Sequence, residues 1–205
     1  IRNYPTTSPG SGSLSLLRLT PAQQRAFEAV QAAVQARRHH TFLVHGVTGS
    51  GKTELYLRLI ADALSQGRGA ICLVPEIALT PQTIDWFRQR FGSAVALWHS
   101  RLTARQRGVE WSCMRAGQAR VVVGTRSAVF APIASIGVIV LDEEHDPSYK
   151  QDEVPRYHAR AVALERARMA KAVVILGSAT PSVESYYHAQ AGRYMLLDLP
   201  TRIHE

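Results

Sequence analysis

Residues 45–53, His45-Gly46-Val47-Thr48-Gly49-Ser50-Gly51-Lys52-Thr53, place three glycines, a lysine and a threonine at offsets suited to holding a string of phosphates. The apolar run 41–44 precedes them and the helically periodic run 55–60 follows, so the expected setting is a turn between a strand and a helix. Gly46, Gly49 and Gly51 permit backbone conformations closed to other residues and bring N–H groups, with those of Thr48 and Ser50, close to phosphate oxygens at a helix start that favours anions. Lys52 adds positive charge and Thr53 a hydroxyl for Mg2+. A nucleoside triphosphate is the ligand this pattern implies.

A second cluster lies at 142–146. The run Val138-Ile139-Val140-Leu141 leads directly into Asp142-Glu143-Glu144-His145-Asp146, which puts carboxylates at the carboxyl end of a buried strand, the edge where open α/β sheets bind ligands. An acid there can hold the metal and a neighbouring acid can orient and deprotonate the attacking water. Asp142 is assigned to the metal and Glu143 to the water, which with Lys52 makes up the expected catalytic set. His145 has two readings from the residues alone: it couples nucleotide state to another ligand, or it satisfies a local hydrogen bond.

Both clusters require a scaffold that brings strand ends together. Short β-branched runs near 41–45, 70–74, 94–98, 120–124, 137–142, 172–177 and 194–198 alternate with helical stretches, the pattern of a parallel sheet flanked by helices. Their near-continuous apolar character predicts burial on both faces. Thr20-Pro21 opens a capped amphipathic helix carrying Phe27, Val30 and Val34. Residues 1–18, rich in Pro, Gly and Ser, are expected to be a linker or tail before a single domain over 19–205.

The chain of 205 residues is long enough for one α/β domain, and its formal net charge of +8, carried more by arginine than by lysine, favours a polyanionic partner. The two cysteines, Cys72 and Cys113, have the spacing of neither a zinc site nor a disulfide framework and are expected to pack in the core. No run approaches the ~20 apolar residues that span a bilayer, so no membrane contact and a cytoplasmic setting are expected. His39-His40 reads as a solvated helix end, and Trp86, Trp98 and Trp111 as core or core-edge residues.

Taken together, the phosphate loop, Leu73-Val74-Pro75-Glu76-Ile77-Ala78-Leu79-Thr80, Gly124-Thr125-Arg126-Ser127-Ala128, the acid cluster, Ser148-Tyr149-Lys150-Gln151, Arg156-Tyr157-His158-Ala159-Arg160 and Gly177-Ser178-Ala179-Thr180-Pro181-Ser182 resemble superfamily-two helicases, and more narrowly the bacterial primosomal replication-restart helicases. The resemblance covers nearly everything after the tail. It implies a RecA-like P-loop NTPase fold, specifically the first of two motor lobes, with ATP and Mg2+ as cofactors and a 3′-to-5′ DNA-unwinding activity at forks. Residue by residue it implies that Gln23 reads the adenine edge, that Pro75 to Thr80 with Thr125 and Arg126 grip the DNA backbone, and that Ser178 and Thr180 link the nucleotide site to DNA movement. Residues 149–157, with Tyr149, Lys150, Arg156 and Tyr157, resemble an aromatic-rich loop that senses DNA and relays its presence, with His145 as a coupling candidate. Backbone gripping suits a motor because phosphate and sugar contacts carry no sequence information.

The resemblance further implies single-stranded and forked DNA, primosome proteins and single-stranded-DNA-binding protein as partners, and a nucleoid-associated place in a bacterial cytoplasm. The family's second lobe, its amino-terminal DNA-binding domain and its zinc-binding cysteines fall outside these residues, so no zinc is expected and the lobe alone should bind nucleotide weakly and hydrolyse it slowly, the opposite lobe supplying an arginine worth on the order of 10³–10⁵ in related hydrolases. Ala161 and Arg101 depart from the family pattern, which has an acid and a glycine there. Competing readings are a P-loop kinase or GTP switch, for which no Asn-Lys-x-Asp guanine signature exists, and a DNA clamp without catalysis, which would have no use for Glu143.

Overall fold

The computed structural model describes residues 18–203. The expected tail over 1–18 lies, apart from Arg18, outside them. Seven strands, β1 (His40–Gly46), β2 (Gly69–Leu73), β3 (Val95–Trp98), β4 (Val121–Gly124), β5 (Ile136–Asp142), β8 (Val173–Ser178) and β9 (Met195–Leu199), form one sheet in the order β3-β4-β2-β5-β8-β1-β9. Every pairing in it is parallel, so all carboxyl ends share one edge. All seven expected strands are present within one or two residues of their anticipated bounds.

Helices cover both faces, which is why the inner strands are apolar through most of their length; the edge strand β9 departs from the expected two-sided burial, with only Leu199 buried. Phe42, Val44, Val138 and Val140 face a core built with α1 (Pro21–Gln35), α2 (Lys52–Ser65) and α3 (Pro81–Phe91). Alternate residues Leu43, Ile139 and Leu141 face the opposite core, with Met114 of α4 (Ala104–Arg115), Ala159, Ala163 and Ala167 of α5 (Ala159–Ala170) and Ala189 of α6 (Val183–Gln190). Each fully buried Val, Leu or Ile contributes about 1.5–3 kcal/mol, so register is fixed from both sides.

Helix starts are set by side chains at the same edge. Thr20 and Gln23 form a reciprocal capping box on α1 behind Pro21, Thr80 caps α3, Ser182 caps α6, and His158 accepts from the Arg160 N–H at the start of α5. The start of α2 has no side-chain cap: Gly51 stands there at φ 78°, leaving the first N–H groups of the helix for another acceptor.

Some expectations are corrected. Residues 149–157, read as a loop without periodicity, contain a small antiparallel hairpin, β6 (Lys150–Gln151) with β7 (Tyr157–His158). His39-His40 is not a helix end: His40 opens β1 and a His39 ring nitrogen contacts the Ala172 carbonyl oxygen at 2.9 Å. Trp86 and Trp111 are exposed, Trp111 leaning on the half-buried Trp98 with ring centroids 5.6 Å apart. Cys72 is buried as expected and Cys113 is half-buried against the second core.

Candidate nucleotide-binding and coupling site

The parallel sheet brings the two sequence clusters together. Lys52 is buried, donates from Nζ to the Gly46 carbonyl at 2.8 Å, and lies 3.8 Å from Glu143 Oε1, although 91 positions separate the two in sequence. Gly49 and Gly51 both adopt positive φ, 79° and 78°, so a side chain would be strained at either. The Ser50 hydroxyl is buried without a hydrogen-bond partner among the described residues, a polar group left for a ligand. Beyond β9 the chain crosses the loop, where the Ile203 N–H donates to the Gly49 carbonyl at 2.9 Å.

Thr53 and Asp142 line one small cavity with Tyr56, Cys72 and Val74. A hydroxyl and a carboxylate there form the sparse oxygen donor set that suits Mg2+, which keeps several waters and takes the rest of its shell from phosphates. Among the described residues no group of three His, Cys, Asp or Glu side chains could hold a metal by itself. Burial, and then the neighbouring Glu143 charge, raises the Asp142 carboxyl above its ordinary range, opposed by the Tyr56 hydroxyl and Lys52. Tyr56, fully buried, donates to Asp142 Oδ1 at 3.1 Å, and burial followed by the Asp142 charge keeps its phenol far above the usual range, hence a permanent donor.

Glu143 has φ 46°, a left-handed conformation seldom taken by a residue with a side chain and often found at functional sites. Its Oε2 lies 3.7 Å from His145 Nδ1, which contacts Ser178 Oγ at 2.8 Å; Ser178 Oγ in turn accepts from the Thr180 N–H at 2.9 Å. His145 therefore joins the acid cluster to the end of β8, and the Thr180 hydroxyl sits 3.5 Å from its Nε2.

Glu144, which carried no assignment from the sequence, points into the protein and is fully buried. It accepts from the Ser182 N–H at 2.7 Å, the Ser182 hydroxyl at 3.1 Å, the Ser185 hydroxyl at 2.8 Å and Arg160 Nη1 at 2.7 Å. Burial alone would raise its pKa; these donors outweigh it and hold the carboxyl below the usual value. Arg160 was legible only as part of the Arg-Tyr-His-Ala-Arg run. The two serines and the glutamate carried no spacing signal that singled them out.

The remaining expected residues lie on the same edge with altered roles. Gln23 is buried and its amide is committed: Oε1 accepts from the Thr20 N–H at 2.9 Å and Nε2 donates to the Ser50 carbonyl at 2.8 Å, so it ties α1 to the phosphate loop and presents no free edge. Pro75 and Thr125 are buried behind the turns after β2 and β4, and the Thr80 hydroxyl is exposed while capping α3. Arg126 does not point its guanidinium into solvent. Its Nη1 donates to the carbonyls of Ser148, at 3.1 Å, and Lys150, at 2.5 Å, and the group lies 6.0 Å from the Tyr157 ring centre.

The largest correction is Tyr149. A residue expected to face DNA is fully buried and donates its phenol O–H to the Asp142 carbonyl at 2.6 Å. Tyr157 is half-buried with its ring edge-on to Phe130, centroids 5.0 Å apart. Lys150 and Arg156 are exposed, engaging Asp152 at 3.1 Å (Nζ to Oδ1) and 3.0 Å (Nε to main-chain O). The segment thus offers cations outward from the hairpin and turns the tyrosine before it inward to the end of β5. Arg101 and Ala161, the departures from the family pattern, are both exposed.

A parallel sheet with a phosphate loop after β1 and acids after β5, with β8 between them, defines a RecA-like P-loop lobe. Residues 20–188 match the DEAD/DEAH box helicase family, and the chain belongs to that family as an ATP-binding motor lobe. Its relatives in sequence are replication restart proteins: it is 51% identical over 187 residues to PriA of Bacillus subtilis (strain 168), covering 91% of this chain and 23% of that protein. PriA of Chlamydia pneumoniae is 48% identical over 185 residues, covering 90% of this chain and 25% of that protein. The chain therefore spans about a quarter of the length of these relatives.

Among solved structures it is similar to RecG bound to a three-way DNA junction, with a TM-score of 0.66 and 24% identity over 91% of this chain and 24% of that one. The helicase domain of Pyrococcus furiosus Hef gives a TM-score of 0.60 and 20% identity over 85% of this chain and 37% of that one. At these identities the likeness carries the fold alone. No helix among the described residues is long and apolar enough to cross a membrane.

Proposed function

We propose that this lobe binds MgATP and, as part of a two-lobed motor, couples its hydrolysis to 3′-to-5′ movement on forked DNA during replication restart. The carrying observation is the convergence of Lys52, Thr53, Asp142 and Glu143 on one edge of the sheet, with Lys52 3.8 Å from Glu143 and with Thr53 and Asp142 on one cavity. In this reading the β- and γ-phosphates take the Lys52 amine from the Gly46 carbonyl and meet the uncapped N–H groups at Gly51 and Lys52. Thr53 and Asp142 hold Mg2+, which, when bound, screens charge on the phosphates. Glu143 accepts a proton from the attacking water, and His145 carries the state of that site to Ser178 and Thr180. Gln23 acts as a strut of the phosphate loop, and reading of adenine would require it to exchange one internal bond for the base.

On the DNA side, Lys150 and Arg156 supply phosphate contacts, while Pro75, Thr80, Thr125 and Arg126 shape the turns that face the strand. The similarity to PriA supports placing the whole protein in the bacterial nucleoid with primosome proteins and single-stranded-DNA-binding protein as partners. The test is ATP hydrolysis by a full-length protein carrying this lobe, with and without forked DNA. Glu143→Gln should abolish turnover while nucleotide binding persists. Turnover unaffected by DNA, or surviving Glu143→Gln, refutes the reading.

A further inference from the structure

Asp142 stands at the end of β5, where a free aspartate would sample several rotamers. Its Oδ1 is instead engaged by the phenol of Tyr56, three positions after Thr53 on α2, so the two side chains share a helix face and line the cavity with Asp142. A buried tyrosine hydroxyl needs a partner, and among the described residues this carboxylate is the one it bonds.

Gly177 provides an independent observation. It is level with Asp142 in the neighbouring strand, and a Cβ there would overlap the Tyr56 hydroxyl and sit 3.5 Å from Asp142 Oδ1. No positive φ demands glycine at this position. The missing side chain is the space the phenol occupies. From the opposite face of the sheet, Tyr149 holds the Asp142 main-chain carbonyl, so backbone and side chain are fixed by different phenols.

We propose that Tyr56 is a positioning residue that presets the Asp142 carboxylate for the metal, with Gly177 as the seat of its hydroxyl. This rests on the reading of Asp142 as a Mg2+ ligand. Outer groups that orient metal ligands typically change metal affinity 10–100-fold when removed. Loss of the Tyr56 hydroxyl leaves the carboxylate held only by the Glu143 main-chain N–H and loosens its rotation, so the metal must complete its immobilisation on binding. The nucleotide's own contacts with the phosphate loop stay as they were.

The experiment measures binding of N-methylanthraniloyl-ATP to this chain as Mg2+ is titrated, with Mn2+ electron paramagnetic resonance reporting the metal directly. Tyr56→Phe should raise the half-saturating Mg2+ concentration about 10-fold and leave metal-free nucleotide binding unchanged. Gly177→Ala should raise it in the parent chain and add little in the Tyr56→Phe background, because the hydroxyl it displaces is already gone. Asp142→Asn separates the two levels of argument. If it leaves the Mg2+ dependence intact, the metal assignment fails; if it abolishes that dependence while Tyr56→Phe behaves as the parent, the positioning role of Tyr56 is overturned. Additive effects of Tyr56→Phe and Gly177→Ala also overturn it.

Discussion

Two arginine–glutamate pairs of nearly equal length make a controlled comparison. Arg160–Glu144 spans 2.7 Å with side chains 18% and 0% exposed, whereas Arg168–Glu165 spans 2.6 Å with side chains 65% and 57% exposed. Glu144→Gln removes the charge, keeps the shape, and turns an amide N–H2 toward groups that all donate to the carboxylate: the Ser182 and Ser185 groups and Arg160. Breaking a buried pair on one side costs about 3–5 kcal/mol. At ~2–4 °C per kcal/mol for a domain of this size, the melting temperature should fall by roughly 6–20 °C.

Glu165→Gln, at the exposed, solvent-screened pair, should shift melting by no more than ~2 °C. The comparison is read by thermal unfolding of the parent chain and both variants between neutral pH and pH 3. The Glu144 carboxyl is held below its unfolded value, so its stabilisation is complete above the ordinary carboxylate range and is lost as pH falls through the lower folded value. The gap between parent and Glu144→Gln should therefore close in acid. Equal melting losses for the two variants at neutral pH, or a gap that persists undiminished below the folded pKa, would refute the claim that Glu144 is an ionised buried anchor.

Lys52→Ala should weaken ATP binding by the chain about 10–100-fold, the equivalent of one charge-assisted contact of ~1.5–3 kcal/mol, with the circular dichroism spectrum unchanged; undiminished affinity in a fluorescence titration would contradict the phosphate-loop assignment. Arg126→Ala removes both bonds to the carbonyls that flank Tyr149 and the cation beside Tyr157. Local opening of the hairpin should become about 5–30-fold more frequent for ~1–2 kcal/mol lost, seen as faster tryptic cleavage after Arg156; an unchanged cleavage rate would show that Arg126 does not hold the hairpin.

The inner strands were legible because they are buried on both faces, so that runs such as 138–141 and 172–176 carry no polar interruption and end where turn or polar residues begin; the edge strand β9 is buried only at Leu199. The phosphate loop and Asp142-Glu143 were legible for a different reason: their chemistry requires particular residue types at a strand end, and that context is itself visible in the pattern. Tyr149 was not. A tyrosine between Ser148 and Lys150 in a non-periodic stretch has the signature of a surface residue, and what buries it is a bond to a main-chain oxygen, which leaves no mark on residue identity. Arg126 was misread for the same reason, since its partners are the carbonyls of Ser148 and Lys150. Gln23 carried a motif signal, but its two internal bonds join a cap and a loop 27 positions apart.

The three consecutive acids show how a short segment escapes a one-dimensional reading. In a continuing strand, Asp142 and Glu144 would share a face and Glu143 would take the other. The left-handed turn at Glu143 breaks that alternation, with the Glu144 N–H bonding the Gly177 carbonyl at 3.0 Å and the Asp146 N–H bonding the Glu143 carbonyl at 2.8 Å. Three carboxylates that repel one another in a row are thereby sent to the cavity shared with Thr53 and Tyr56, to Lys52 and to Arg160, so each gains a different partner. The strain held at Glu143 is the means of that separation. Its source is the double anchoring of the segment on the Gly177 carbonyl and on the Glu144 serine–arginine cluster, both supplied by β8 and the residues that follow it or by α5. A displacement of the Ser178-to-Ser182 turn must therefore act on Glu143 through two routes, His145 from one side and the Glu144 anchor from the other, which gives the segment after β8 a mechanical hold on Glu143.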